Sequence, residues 1–315
     1  MNNLLTLIIP EFFSILDIAQ LNQWKSLKLL LARASISRSE YDVTDELLNY
    51  FSGVSSADLP AVLLGKAKTF SDNPWVCLAE PIHIQPNRDH LSIIRADFPD
   101  ISSAQALQFI EELNQFFVED NIHFHLVSNR VWLVESPYKL VTPTVKAGSI
   151  VAKDISPFFP AITEVAGIKK LFSDIQLMLH HSKTNMERSK AGLLEMNSLW
   201  LSNEGQYPEK MTSKLSLLIS DDELALKLAQ ACGIPTSSNI EDIFRKETTG
   251  QVLYMSKRNK LDDIFPALFF EKLYDAVKNK RYTSVNFITN RAKLTIKPST
   301  LRKFWQRTFS LEAVK

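Results

Sequence analysis

The chain has 315 residues, 45% of them hydrophobic, 10% aromatic and 23% charged, an ordinary globular composition with length enough for a large core. A net charge of +1 supplies no global field that would steer it to nucleic acid or an anionic membrane, and no apolar run approaches the length of a membrane span. The length accommodates one large α/β domain or two smaller ones. Cys77 and Cys232 lie far apart, show no metal-ligand spacing and fit reduced thiols in a cytoplasmic protein. With no C-x-x-C or H-E-x-x-H pair, neither a metal nor a cofactor is expected.

The apolar start, Met1 to Leu16, has no basic region and no small-residue cleavage site, and reads as a buried strand rather than a signal peptide. Within it Leu4–Ile9, closed by Pro10, suits a strand buried on both faces. Ala19–Ala34 has Leu21, Trp24, Leu27, Leu30 and Leu31 at helical spacing. Ser35–Tyr41 reads as loop, Thr44–Tyr50 as a short helix capped by Thr44, and Ala57–Ala67 as another with Pro60 in its first turn. Short strands follow around Trp75–Leu78, Ile82–Ile84 and Leu91–Ile94, the last two joined by a polar turn at residues 85–90. Ser102 and Gln105 have capping-box spacing ahead of an apolar stripe from Ala106 to Phe117. Ile122–Leu126 and Arg130–Glu135 alternate and suit a strand pair. This order predicts an antiparallel α+β insertion over 73–139, set in an α/β core of residues 1–72 and 140–315.

Thr142–Pro160 reads as a long connection or active-face loop. Ile168–Lys183 is helical, Leu193–Leu201 reads as a strand, and Gly205 as a turn. Leu215–Ile219 is a buried strand, and Asp221 or Asp222 caps a helix from Glu223 to Cys232 that Gly233 ends. A strand at Gln251–Met255 and a helix at Asp262–Val277 lead to a hairpin turned at Asn290–Arg291. A last helix capped by Ser299 or Thr300 runs to Phe309.

Three regions carry candidate chemistry. Lys169, Ser173, Gln176, His180 and Lys183 step by four, three, four and three, one polar stripe that could meet an anion or be the solvated edge of an amphipathic helix. Asn185, Glu187, Arg188, Asn197 and Trp200 follow, where open α/β sheets place ligand groups, or where Asn and Arg simply tie loops together. Between Ala276 and Leu311 there is no Asp or Glu, and Lys293, Lys297, Arg302, Lys303 and Arg307 form a basic segment. It suits an acidic partner, phosphate or nucleic acid, or plain solvation. His83, Arg88, Asp89 and His90 surround one turn, and His123 and His125 share a strand face without an evident third ligand. G-x-S-x-G, G-x-G-x-x-G and P-loop motifs are missing.

The segment DIQLMLHHSKTNMERSKAGLLEMNSLW, with PWVCLAEPIHIQPNRDHLSII upstream and VLYMSKRNKLDDIF through LRKFW downstream, resembles the bacterial RpfE-type regulatory proteins. Members of that family carry the label of cofactor-independent phosphoglycerate mutases. The resemblance implies an alkaline-phosphatase-like α/β fold, with helices on both faces of the sheet. Enzymes of that superfamily need a Ser or Thr nucleophile and Asp and His ligands for two metal ions. Two departures stand out: Leu201-Ser202-Asn203-Glu204-Gly205 replaces a Trp-Gly-Gly-Gly-like loop, and Asp174 stands where the family often has Glu. Glu11 is the only acid just after the first strand, and no Asp-x-His-x-x-His cluster follows. The expectation is therefore a non-catalytic or degenerate phosphoglycerate-mutase-like regulatory or binding protein, with a small anionic ligand or a protein partner. Its face would be Gln176, His180, Asn185, Arg188, Asn197 and Trp200. The alternatives are an active metal-dependent mutase or phosphatase, and an acidic-partner or nucleic-acid binder using the basic segment.

Overall fold

A computed structural model of the protein describes residues 3–65, 73–88, 90–98, 100–158, 166–245, 250–256, 260–303, 305–306 and 308–309. The elements begin with β1 (Leu4–Ile8), α1 (Phe12–Ile15), α2 (Ile18–Gln23), α3 (Lys25–Arg33), β2 (Ser35–Arg38), α4 (Val43–Leu48), β3 (Phe51–Ser52), α5 (Leu59–Leu64), β4 (Trp75–Pro86) and β5 (Leu91–Arg95). Next come α6 (Ser103–Phe116), β6 (His123–Ser128), β7 (Val131–Ser136), α7 (Ala166–His180), α8 (Lys183–Lys190), β8 (Ser198–Gln206), β9 (Thr212–Ser213) and β10 (Leu215–Ser220). The chain closes with α9 (Glu223–Ala231), β11 (Thr236–Ser237), β12 (Gln251–Met255), α10 (Leu261–Ile264), α11 (Phe269–Lys278), β13 (Ser284–Ile288) and β14 (Ala292–Ile296). No helix among the described residues is long and apolar enough to cross a membrane. Two compact units result, one built from residues up to Val54 and from Lys210 onward, the other from Ser55–Glu209.

The first unit holds a seven-stranded sheet in the order β11-β10-β12-β1-β13-β14-β2. The strands from β11 to β13 are parallel, and β14 and β2 add an antiparallel edge. β1 lies between β12 and β13, with Leu5 level with both Val252 and Val285. A strand so placed is covered on both faces, which is why its sequence is an unbroken apolar run. The exception, Thr6, accepts the Tyr50 hydroxyl at 2.6 Å. Leu5 and Leu7 share one core with Leu27, Leu30 and Leu31 of α3 and with Phe269, Phe270 and Leu273 of α11.

Several sequence expectations change here. The helix expected over 19–34 is two, broken at Trp24 (φ −90°, ψ 69°), whose ring packs on Phe265 and Phe270. Asp17 caps the first piece through a capping box with Gln20. The helix expected over 262–277 breaks at Phe265, which is extended ahead of Pro266, as steric conflict with the proline ring favours. Asp42, not Thr44, caps α4. The supposed loop at 35–41 contains β2, an exposed edge strand that backbone pairing with β14 defines and that no apolar pattern announces. Of the last helix, expected to run to Phe309, the described residues show a 3-10 turn, Thr300–Arg302, and residues 304 and 307 lie outside them.

The second unit is antiparallel. Its sheet runs β5-β4-β7-β6, with β8 also paired to β4. The two strands expected at 75–78 and 82–84 are one, β4, which pairs with β7 through residues 75–79, with β8 through 75–82 and with β5 through 83–86. Pro81 falls where β4 has lost β7 as a neighbour, a place where a strand tolerates proline. The capping box of Ser102 and Gln105 starts α6, and α6 and α7 bury Phe109, Leu113, Ile175 and Leu179 against Ala79, Trp132, Val134 and Leu199. Ala61 of α5 packs on the opposite face with Val76 and Leu133. Residues 73–139 lie inside this unit together with α5, α7, α8 and β8.

Gly205 is not a turn residue. It lies in β8, level with Val76, and a Cβ there would come within 2.7 Å of the Ala57 carbonyl carbon and Asp58 Cα, and closer still to Ala57 O. Gly205→Ala should therefore cost at least about 2 kcal/mol, read as a lower urea midpoint at unchanged m-value, because the obstacle is backbone that cannot step aside.

Candidate functional site

The six residues expected to form the face lie in the second unit, and the structure separates them into two groups. Gln176 is half-buried and His180 exposed on α7, where His180 makes an edge contact with the His181 ring at 5.1 Å. The expected stripe stops there: α7 ends at His180, Ser182 caps α8, and Lys183 opens that next helix. Asp174 takes the Lys170 ammonium at 3.0 Å on the same helix. Among the described residues no hydrogen bond joins Gln176 or His180 to the other four.

Those four tie backbone together. The buried Asn185 donates its amide to Leu179 O at 2.8 Å and Met196 O at 2.7 Å and accepts Met196 N–H at 3.1 Å, so the end of α7 is fastened to the approach of β8. Asn197 precedes β8, because the strand expected at 193–201 begins only at Ser198. Its amide accepts Ile84 N–H and donates to Ile84 O, each at 2.8 Å. This pair continues the β4–β8 ladder past its last backbone match, Ile82 with Ser198. Trp200 is buried and donates Nε1–H to Val145 O at 2.7 Å. His83 donates Nδ1–H to Glu195 O at 2.7 Å in the same junction.

Arg188 is 0% exposed. Its guanidinium donates twice to Leu194 O, at 3.2 and 2.9 Å, once to Gln105 Oε1 at 3.3 Å, and to Asp100 Oδ2 at 2.6 Å. The Phe98 ring lies 5.7 Å below it. Burial works to raise the Asp100 carboxyl, but the Arg188 hydrogen bond and charge, with Arg95 behind them, outweigh burial and hold it below the usual aspartate range. A buried guanidinium with its donors spent this way fixes the α6–α8 junction.

A second His-based arrangement was only half legible. His125 Nε2 meets Glu135 Oε2 at 2.9 Å, and Glu135 is buried. This carboxylate partners His125, and β6–β7 pairing sets its backbone level with His123. Burial pushes the His123 imidazole down, Glu135 pushes it up and His125 down, with a net fall. Among the described residues no three His, Cys, Asp or Glu side chains are grouped to hold a metal ion.

In the first unit, the loops after the parallel strands form two small cavities. One, of about 130 Å³, is lined by Glu11, Phe13 and Ser14 after β1 and by Thr289, Asn290 and Arg291 after β13. Asn290 Nδ2 donates to Glu11 Oε1 at 2.7 Å. The other, of about 220 Å³, is lined by Ser220 and Asp221 after β10, Asn239, Tyr254, and Asp263 of α10. Ser256 Oγ donates to Asp221 Oδ2 at 3.1 Å. Of the basic segment, Lys293 faces Glu46 at 3.8 Å, Lys297 and Arg302 are exposed and Lys303 is half-buried. Arg307 lies outside the described residues.

Replacing Arg188 with Met keeps much of the volume, leaves Leu194 O without its donor and leaves the Asp100 carboxylate to Arg95, at 2.8 Å. The cost should be about 2 kcal/mol in urea unfolding at neutral pH, that of a buried acceptor left unsatisfied. The Asp100 carboxyl is depressed in the folded state, so the stability it contributes is present above the ordinary aspartate range and lost as pH falls through its folded value. The gap between Arg188→Met and the natural chain should accordingly narrow in acid. A gap constant with pH would show that the ion pair is not its source.

No family model matches this chain, and no curated protein matches its sequence. Solved structures that resemble it include the cofactor-independent phosphoglycerate mutase of Thermoplasma acidophilum DSM 1728, at 13% identity over 100% of this chain and 94% of that one, with a TM-score of 0.49. The PH0037 protein of Pyrococcus horikoshii resembles it at 10% identity over 94% of this chain and 87% of that one, with a TM-score of 0.47.

Proposed function

We propose that this chain is a phosphoglycerate-mutase-like protein of alkaline-phosphatase-like descent that binds a small anion and does not turn it over. The observation that carries the reading is the separation of the acids at the carboxyl end of the parallel sheet. Two-ion phosphotransfer needs carboxylates and imidazoles converging on ions about 3.5–4 Å apart. Here Glu11, in the position where the resemblance implies a first metal ligand, lines one cavity and is engaged by the Asn290 amide. Asp221 and Asp263 line the other.

The carboxyl ends of parallel strands are where open α/β sheets take ligands. The smaller cavity is lined by Arg291, Asn290 and Ser14, residue types that donate to a phosphate or carboxylate, beside the Glu11 carboxylate that Asn290 already holds. Asn185, Arg188, Asn197 and Trp200 of the second unit are engaged with backbone and with the Gln105 and Asp100 side chains, which leaves the loops of the first unit as the place for a ligand.

The test is an assay of p-nitrophenyl phosphate and 3-phosphoglycerate with Mg²⁺, Mn²⁺ or Zn²⁺, run beside calorimetric binding of 3-phosphoglycerate and inorganic phosphate. The expected result is binding without turnover, weakened about tenfold by Arg291→Ala, the usual worth of one charge-assisted contact. Metal-dependent turnover that Glu11→Gln abolishes would overturn the proposal in favour of an active phosphotransfer enzyme.

A further inference from the structure

Between β7 and α7 the chain crosses the β4–β8 face of the second unit, and there it is held mostly by side chains. The Glu204 carboxylate accepts the amide N–H groups of Leu140, Val141 (2.7 Å) and Thr142 (3.4 Å). Glu80 accepts Ala147 N–H at 3.0 Å, Trp200 Nε1–H donates to Val145 O at 2.7 Å, and Asn203 N–H donates to Pro143 O at 3.0 Å. All four anchors belong to β4 and β8, and Glu80 stands level with Trp200 in their register. Ala147 of the segment, with Ile150 and Ile155 after it, packs on Ile82, Ile84, Ile93, Phe172 and Trp200, and Leu140 at its start is buried in the unit's main core.

Several features oppose this closed arrangement. Val141 has φ +59°, in the left-handed region that a β-branched residue strongly resists. The hydroxyls of Thr142, Ser198 and Ser202 are buried with no hydrogen-bond partner among the described residues, and Ser198 and Ser202 flank Trp200 on its face of β8. Burial pushes the Glu80 carboxyl up, against the Ala147 N–H and the Lys146 charge, so its ionised form is disfavoured when covered. Opening would relieve the strain and wet all of these groups at once, while the β4–β7 and β4–β8 ladders stayed paired.

We propose that residues 140–147 are a lid, latched by Glu204, Glu80 and Trp200, that opens as a unit without unfolding the sheet beneath and uncovers Trp200 and the apolar face around Ile82. Local elements that open ahead of the global fold are the ones recruited for gating and binding. The lid is independent of whether the first unit binds or turns over an anion, and its test needs no ligand.

Native-state hydrogen exchange on the full chain is that test. The amides of Val141, Thr142 and Ala147 should exchange through one shared opening, at least about 100-fold more often than those of Cys77 and Ala79 in β4. Val141→Asn, which tolerates the left-handed conformation, should make that opening about fivefold rarer. Ser202→Ala should act in the same direction by removing a buried hydroxyl without a partner. Glu204→Gln, which weakens the latch but keeps an acceptor, should make the opening about tenfold more frequent. Exchange of the lid amides only with global unfolding of the sheet would overturn the proposal. So would a Val141→Asn chain whose lid opens as often as the natural one, or more often.

Discussion

Backbone amides and carbonyls left over where elements end must still be paired once they are buried. In the second unit that requirement is met by side chains placed at each junction. Asn197 supplies the ladder partner that Ile84 lacks. Asn114 does the same for Phe124, accepting its N–H at 2.7 Å and donating to its carbonyl at 3.0 Å. Asn185 fastens the end of α7, and Arg188 takes the carbonyl of Leu194 while carrying its charge on Asp100. An amide suits such work because it presents a donor and an acceptor side by side, as a peptide group does. The density of polar groups from Asn185 to Trp200 follows from the number of junctions made there.

The first unit depends on a different constraint. Five parallel strands need both faces covered and long crossovers, so β1, β10 and β12 at the centre are mostly apolar and many polar groups collect in the loops at the strand ends. Glu11, Asp221 and Asn290 stand there because the loops after β1, β10 and β13 all emerge on the carboxyl side of the sheet. Placement on one edge does not make the residues one site, however. Glu11 with Asn290 lies beside β13, and Asp221 follows β10, two strands from β1, where it meets Ser256 at the end of β12.

What was legible in the sequence was what burial dictates. β1, β10 and β12 announce themselves as apolar runs, β6 and β7 as alternating ones, and α6 by its capping box and stripe. What was not legible is what pairing dictates. β2 is exposed at every residue and exists because β14 lies beside it, and β4 runs through Pro81 because its neighbours change there. The breaks at Trp24 and Phe265 serve a contact between those two rings, remote in sequence, that no local pattern carries. For the site, residue types at 185–200 marked where polar work is done, but not whether a ligand or the protein's own backbone receives it. Asp100, the partner that takes the charge of Arg188, lies far off in sequence.

Glu204 also gives a physical meaning to the stretch that follows Trp200. Glycines there would let a backbone come close to a ligand and leave no side chain to reach across. In this chain Asn203 adopts the left-handed conformation instead (φ +53°), one that Asn tolerates better than most residues. Beside it the β4–β8 register shifts between Val76 and Leu78, as at a β-bulge, and Glu204 reaches three amides of the crossing segment. Gly205, at the end of the same stretch, has no room for a Cβ because Ala57 and Asp58 press on it. The same few residues thus exchange an open backbone for a latch, and the face beneath, with Trp200 at its centre, becomes one that is covered and uncovered rather than permanently exposed.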